Sequence, residues 1–287
     1  MRTGFVAVAG RPNVGKSTLV NALTGSKVAI VSDKPHTTRH QIRGIYTNDD
    51  AQLVLVDLPG WQKPIDPLTE RMQGRVDETM ASDVDAFLVV VDARAHIGTG
   101  DRYVARNVFA LGAPVVIVVN KVDRLKPGHI VTQMKTAAAL GPFHALHPVS
   151  AKTGDGIGEL RDDLISLLPE GPLLYPPETE TDMPLEARIA ELVREQALHL
   201  TREEIPHALT AEVVELVDGH VHVRLYTETE SQKQILIGKG GSMVREIGRG
   251  ARPHIEALLG RKVFLQLQVK ASPRWRRNET MLERLGL

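Results

Sequence analysis

Gly10-Arg11-Pro12-Asn13-Val14-Gly15-Lys16-Ser17 fits the pattern G-x-x-x-x-G-K-S. Such a loop wraps its backbone N–H groups around phosphate oxygens, and the positive end of the helix that follows points at the same anion. Lys16 is expected to reach the terminal phosphates and Ser17 to offer its hydroxyl to magnesium. Asp57-Leu58-Pro59-Gly60 supplies a carboxylate that can hold the same ion through water and, at Gly60, a backbone N–H for the γ-phosphate. The polar stretch Thr37-Thr38-Arg39 falls between these motifs; a threonine hydroxyl there, Thr38 in preference to Thr37, would join magnesium only while the γ-phosphate is present.

A second group of residues selects the base. In Asn120-Lys121-Val122-Asp123, the Asp123 carboxylate can accept two hydrogen bonds from the ring and exocyclic N–H groups of guanine. Adenine offers no such pair, and a buried carboxylate left unpaired costs several kcal/mol in order of magnitude. Lys121 is expected to lie over the ring. Ser150-Ala151-Lys152 can add a backbone N–H to the guanine carbonyl and a second aliphatic stem.

These motifs must be carried on strand ends. Apolar runs at Phe5–Ala9, Leu53–Val56, Ala86–Val91, Val115–Val119 and His147–Val149 alternate with helical stretches, as in a mostly parallel sheet covered on both faces. Each motif follows one run, so the expected fold class is α/β, a P-loop domain over residues 1–168. A length of 287 residues suggests two domains. Residues 169–184, rich in Pro among Glu, Thr and Asp, read as a linker, and 185–287 as a second, α+β domain in the order helix, strand, strand, helix, helix, strand. Asp218-Gly219 marks its hairpin. With no cysteine there is neither a disulfide framework nor thiol catalysis, and a reducing cytoplasm is the expected compartment. No run approaches the ~18 apolar residues of a membrane span.

Formal charge is zero overall, yet Ser231 to Arg277 carries 11 Lys and Arg against only Glu246 and Glu256. That bias suits a polyanion. His220 and His222 share a strand face but lack an evident third ligand, and no zinc is assigned to them.

Gly10 to Thr18, the Pro35-His36-Thr37-Thr38-Arg39 loop, Glu203-Glu204-Ile205-Pro206 and Ile237-Gly238-Lys239-Gly240-Gly241 together resemble the Era family of GTPases, over essentially the whole chain. The resemblance implies a GTPase domain followed by a KH domain of the bacterial, type II arrangement, binding small-subunit ribosomal RNA during assembly of the 30S subunit. Gly10, Asn13, Val14, Gly15, Lys16, Ser17, Thr18, Asp57, Gly60, Asn120, Lys121, Asp123, Ser150, Ala151 and Lys152 are the expected GTP/GDP contacts; Ser17, Thr38 and Asp57 the Mg2+ ligands. Gly238, Lys239, Gly240, Gly241 and Arg245, with the basic tail Arg274, Trp275, Arg276 and Arg277, are the expected RNA contacts, Trp275 as a stacking surface.

Ras-like enzymes place a Gln after D-x-x-G to orient the attacking water, whereas Trp61 stands there and has no acceptor for it. Lys16, Thr38 and Gly60 are assigned positioning and charge stabilisation, and no general base is named. The resemblance extends to relatives in which an Asn at the Asn13 position helps bind K+, so K+ is a second expected cation and the intrinsic rate is expected to be slow. The expected species is a monomer. The competing readings are a membrane-associated GTPase, peripheral on the inner face of the cell membrane, or a cell-cycle signalling GTPase, and a binding protein that does not turn GTP over.

Overall fold

The computed structural model describes all residues except 35–36, 62–63 and 82–83, and two compact units divide the chain. Pro35 and His36 of the motif above therefore lie outside the described residues.

The first unit comprises Met1–Ala29, Thr38–Pro64 and Glu70–Asp182. Its six strands are β1 (Arg2–Ala9), β2 (Ile42–Thr47), β3 (Ala51–Asp57), β4 (Ala86–Asp92), β5 (Val115–Asn120) and β6 (Ala145–Val149), arranged β2-β3-β1-β4-β5-β6. Every pairing is parallel except β2 with β3. Helices α1 (Lys16–Thr24), α2 (Pro67–Ala81), α3 (Thr99–Phe109) and α4 (Pro127–Ala138) connect them, and α5 (Ile157–Leu167) follows β6. All residues of β3, β4 and β5 are buried, which explains their unbroken apolar character: a strand covered on both faces has no solvent side to alternate toward. Register aligns Val8 with Asp57 and Asp92 with Asn120, so the chemistry-bearing residues emerge along one edge of the sheet, on both sides of the place where strand order reverses at β1.

The Pro-rich segment, expected as a linker, runs along this first unit as far as Asp182. Leu174 and Tyr175 N–H groups donate to Gln52 Oε1, Ile45 N–H donates to Glu180 O, and Arg43 pairs with Asp182 at 2.6 Å. Its prolines prevent helix formation, and backbone groups that no regular element satisfies find partners on the neighbouring strands.

The second unit holds α6 (Leu185–Leu200), α7 (Ile205–Ala208), β7 (Thr210–Val217), β8 (His220–Thr227), α8 (Glu230–Ile237), α9 (Ser242–Leu259), β9 (Phe264–Ala271) and α10 (Glu279–Arg284). It also includes Ile30–Thr37 and Ile65–Thr69 from the first half of the sequence. Ile30 joins its apolar core, and Arg194, fully buried and paired with Glu191, donates to Thr37 O. The hairpin β7–β8 turns on Asp218 and Gly219, both at positive φ (46° and 81°), the two-residue turn whose twist matches the strands. β9 adds parallel to β8, and Val221, Val223, Leu225 and Leu265 face Ile247, Ala251 and Ile255 of α9 in the core. Among the described residues no helix is long and apolar enough to cross a membrane.

Candidate functional site

The loop after β1 closes tightly over its own helix. Gly15 sits at φ 98°, and a Cβ there would fall 2.4 Å from Asn120 Nδ2, so no other residue fits. From Gly15, α1 begins without a side-chain cap, leaving its first N–H groups oriented at whatever occupies the loop. Lys16 is buried beneath, its Nζ donating to Gly10 O and Arg11 O at 3.1 Å each. Burial pulls this ammonium down to about 8, and the nearby Asp57 charge limits the fall. Val14 is buried, Asn13 is exposed at φ 64°, and Thr18 follows in the first turn of α1.

Three oxygen-bearing side chains converge beside Lys16. Ser17 Oγ donates to Asp57 Oδ2 at 2.6 Å and lies 2.8 Å from Thr38 Oγ1. Asp57 is fully buried, and its Oδ1 has no hydrogen-bond partner. Burial pushes its carboxyl up to about 6 against the pull of the Lys16 charge and the Ser17 hydrogen bond. A buried, unpaired carboxylate oxygen beside two hydroxyls is a hard-oxygen donor set, and these residues fit magnesium. Thr37 points elsewhere: its hydroxyl donates to Lys34 O at 2.6 Å. Gly60 is seated against Pro12 of the loop.

At the base end, Asn120 works as a brace. Its Nδ2 donates to Val14 O at 3.0 Å, while its Oδ1 accepts from the N–H groups of Lys121 (2.8 Å) and Ala151 (3.1 Å). Asp123 accepts from the buried Ser150 hydroxyl at 2.8 Å, which orients the carboxylate that would face guanine. Lys152 is exposed beside it. Lys121, at φ 71°, stretches back so that Nζ reaches Asn13 O and, at 2.7 Å, Asp92 Oδ2.

Two positioning carboxylates escape sequence reasoning. Asp92 also receives Arg94, and Asp101 pairs with Arg11 of the loop at 2.8 Å. The one available signal was that Asp92 ends an apolar run, just as Asp57 does. Trp61 is half-buried, edge-on to Tyr103 with ring centroids 5.8 Å apart, and the two line a cavity of about 850 Å³ with Arg11 and Pro12.

In the second unit, Gly238-Lys239-Gly240-Gly241 forms the turn from α8 into α9. Gly238 has φ 74°, and a Cβ there would meet Met243 N at 2.7 Å. Lys239 is exposed, and Arg245 Nη1 braces the turn by donating to Gly240 O at 2.8 Å. Exposed Arg249 and Arg252 follow on α9.

The tail departs from expectation. Trp275 is not a stacking surface: it is 0% exposed, and its indole N–H donates to Ala208 O at 2.7 Å, so its ring belongs to the core. Arg276 is committed to Asp66 (3.3 Å) and Glu228 (3.1 Å), while Arg274 and Arg277 remain exposed.

Residues 5–121 match the family model described as 50S ribosome-binding GTPase, and residues 204–276 the model described as KH domain. Among solved structures, the chain is similar to a Tyr-to-Ala variant of Aquifex aeolicus Era bound to GDP.AlF4-, with 35% identity, TM-score 0.95, and coverage of 100% of this chain and 99% of the other. The same figures describe its similarity to Era in complex with MgGDPNP and nucleotides 1506-1542 of 16S ribosomal RNA.

Proposed function

The chain belongs to the Era family of GTPases, and from that premise we propose that it is a slow, magnesium-dependent GTPase whose second unit holds small-subunit ribosomal RNA during 30S assembly. The observation that carries the reading is similarity along the whole chain, at 35% identity, to an Era bound at once to MgGDPNP and to a 16S ribosomal RNA segment.

Magnesium, when bound, neutralises charge developing on the transferred phosphoryl group. Ser17, Thr38 and Asp57 are the residues that would hold it. Lys16 and the N–H groups at the start of α1 bind and orient the phosphates, and Gly60 offers its N–H to the γ-phosphate when GTP is bound; phosphoryl transfer asks mainly for such positioning and electrostatics. Asp123, oriented by Ser150, selects guanine, and Lys121 lies over it. Trp61 has no acceptor for water, so the intrinsic rate is slow, and Asn13 helps to hold K+ near the phosphates. Gly238 to Gly241 bring backbone N–H groups to a single-stranded RNA backbone, with Lys239, Arg249 and Arg252 supplying charge. Residues 1–168 act as the catalytic domain and 185–287 as the RNA-binding domain.

The test measures GTP turnover and binding of 16S nucleotides 1506–1542 for the parent, Gly238→Asp and Lys239→Asp, beside vesicles of anionic phospholipid. RNA binding lost in both variants with turnover retained is the expected result. Vesicle binding without RNA binding by the parent rejects this function.

A further inference from the structure

We infer that the solvent face of the β7–β8–β9 sheet is a second RNA contact surface, separate from the Gly238–Gly241 turn; the inference rests on the RNA-binding reading above. The core side chains of β8 and β9 point to one side, so the alternate residues form four paired rungs on the other: His220 with Phe264, His222 with Gln266, Arg224 with Gln268, and Tyr226, which is buried beneath Arg284, with Lys270.

Each end of this track offers what a nucleic-acid strand needs. At one end Phe264 is 65% exposed and stacked on His220, with centroids 5.0 Å apart and planes at 15°. An open, flat ring of this kind is what a base stacks on, and stacking tolerates any sequence. In the middle stand exposed Gln266 and Gln268, which can donate and accept, and His222, whose Nε2 is buried without a hydrogen bond. At the other end Arg224, Lys270 and Arg284 surround a cavity of about 300 Å³ that Ser272 and Thr280 also line.

Among the described residues the lining of this cavity carries these three cations and no carboxylate; Glu212 on β7 accepts from Tyr226 Oη at 2.5 Å and pairs with Arg284 at 3.1 Å and with Arg224 at 3.4 Å. The surplus is positive, and cations with hydroxyls complement a phosphodiester. Glu212 and Glu215 on β7 border the surface, which confines a polyanion to β8 and β9. Stacking ring, amides and phosphate pocket in that order suit single-stranded RNA, and a G-x-x-G turn clamps only about four nucleotides. A longer RNA has nucleotides left over to lie on a second surface.

The experiment compares 16S nucleotides 1506–1542 with short oligonucleotides of about four to six nucleotides from the same segment, each sufficient for the turn alone. Phe264→Ala and Lys270→Gln, both at exposed side chains, are expected to weaken the long RNA about tenfold, while Phe264→Trp retains affinity. Lys270→Gln also lowers the slope of log K against log salt by about 1. The short oligonucleotides keep parental affinity in these variants and lose it in Gly238→Asp. Unchanged long-RNA affinity, or equal weakening of both lengths, overturns the second surface while leaving the turn as the RNA site. No RNA binding by the parent overturns both.

Discussion

Asn120 donates its side-chain amide to the carbonyl of Val14 at 3.0 Å, linking the residue that opens the base motif to the middle of the phosphate loop. The same side chain accepts from Lys121 and Ala151, so one buried amide sets the distance between the phosphate end and the base end of the site.

Asn120→Ala therefore leaves a carbonyl and two N–H groups short of partners, each costing about 1–3 kcal/mol when buried. The melting temperature of the nucleotide-free protein should fall by several degrees, at about 2–4 °C per kcal/mol for domains of this size. Guanine-nucleotide affinity should drop by at least about tenfold, because Lys121 and Ala151 lose their common anchor. Calorimetry and titration with a fluorescent guanine nucleotide measure the two. Unaltered affinity in a destabilised variant would show that the brace serves folding alone.

Trp275 provides a contrasting case. Removing a fully buried indole costs about 3–5 kcal/mol, so Trp275→Ala should unfold the second unit at clearly lower denaturant while the first unit keeps its transition. Trp275→Phe keeps most of the packing but leaves Ala208 O without its donor, a smaller loss of about 1–3 kcal/mol. Denaturant curves for both variants, followed by circular dichroism, give the order Ala, Phe, parent. Parental stability with selective loss of RNA binding would instead restore a surface role for the ring.

The different fates of these residues show what a linear sequence carries. β3, β4 and β5 are legible because burial on both faces leaves unbroken apolar runs, and the chemistry sits just past each run's end. β2 is not: its burial is irregular, and Arg43 and Gly44 interrupt any pattern. Trp275 lies among arginines in sequence, whereas its burial depends on Ala208, 67 residues earlier. Asp92 and Asp101 acquire meaning only when folding brings Lys121 and Arg11 to them, and no spacing rule records that. The assignment of Ile30–Thr37 to the second unit rests likewise on tertiary packing around Ile30 and Arg194.

Asp92 makes a pH dependence that can be isolated. Burial raises its pKa, but hydrogen bonds from Arg94 and Lys121 outweigh this and hold the carboxyl at about 2. An ordinary aspartate titrates near ~3.9. The depressed value means that its stabilising contribution is complete above about pH 4 and is lost as pH falls through about 2. The stability gap between parent and Asp92→Asn should thus be level from about pH 7 to 5 and close between about pH 4 and 2. Melting curves across that range follow the gap; one that stays constant to about pH 2 contradicts the assignment.

Trp61 is engaged edge-on with Tyr103 and lacks the amide with which a Gln would aim water, so charge stabilisation at the phosphates must supply more of the rate. Asn13 stands at the loop's surface in a left-handed conformation that Asn tolerates better than most residues, and its backbone carbonyl already receives Lys121 Nζ. Its side-chain carbonyl is the oxygen that K+ would use. GTP hydrolysis by the parent should be about tenfold or more faster in K+ than in Na+ at equal ionic strength, a difference of about 1.4 kcal/mol in the barrier. Asn13→Ala should abolish that difference but also strains the backbone, so Asn13→Gly, which accepts the same φ, separates the two causes. If Asn13→Gly binds GTP like the parent and loses the K+ advantage, the side chain holds the ion; if the advantage persists, Asn13 serves the loop's shape and K+ acts elsewhere.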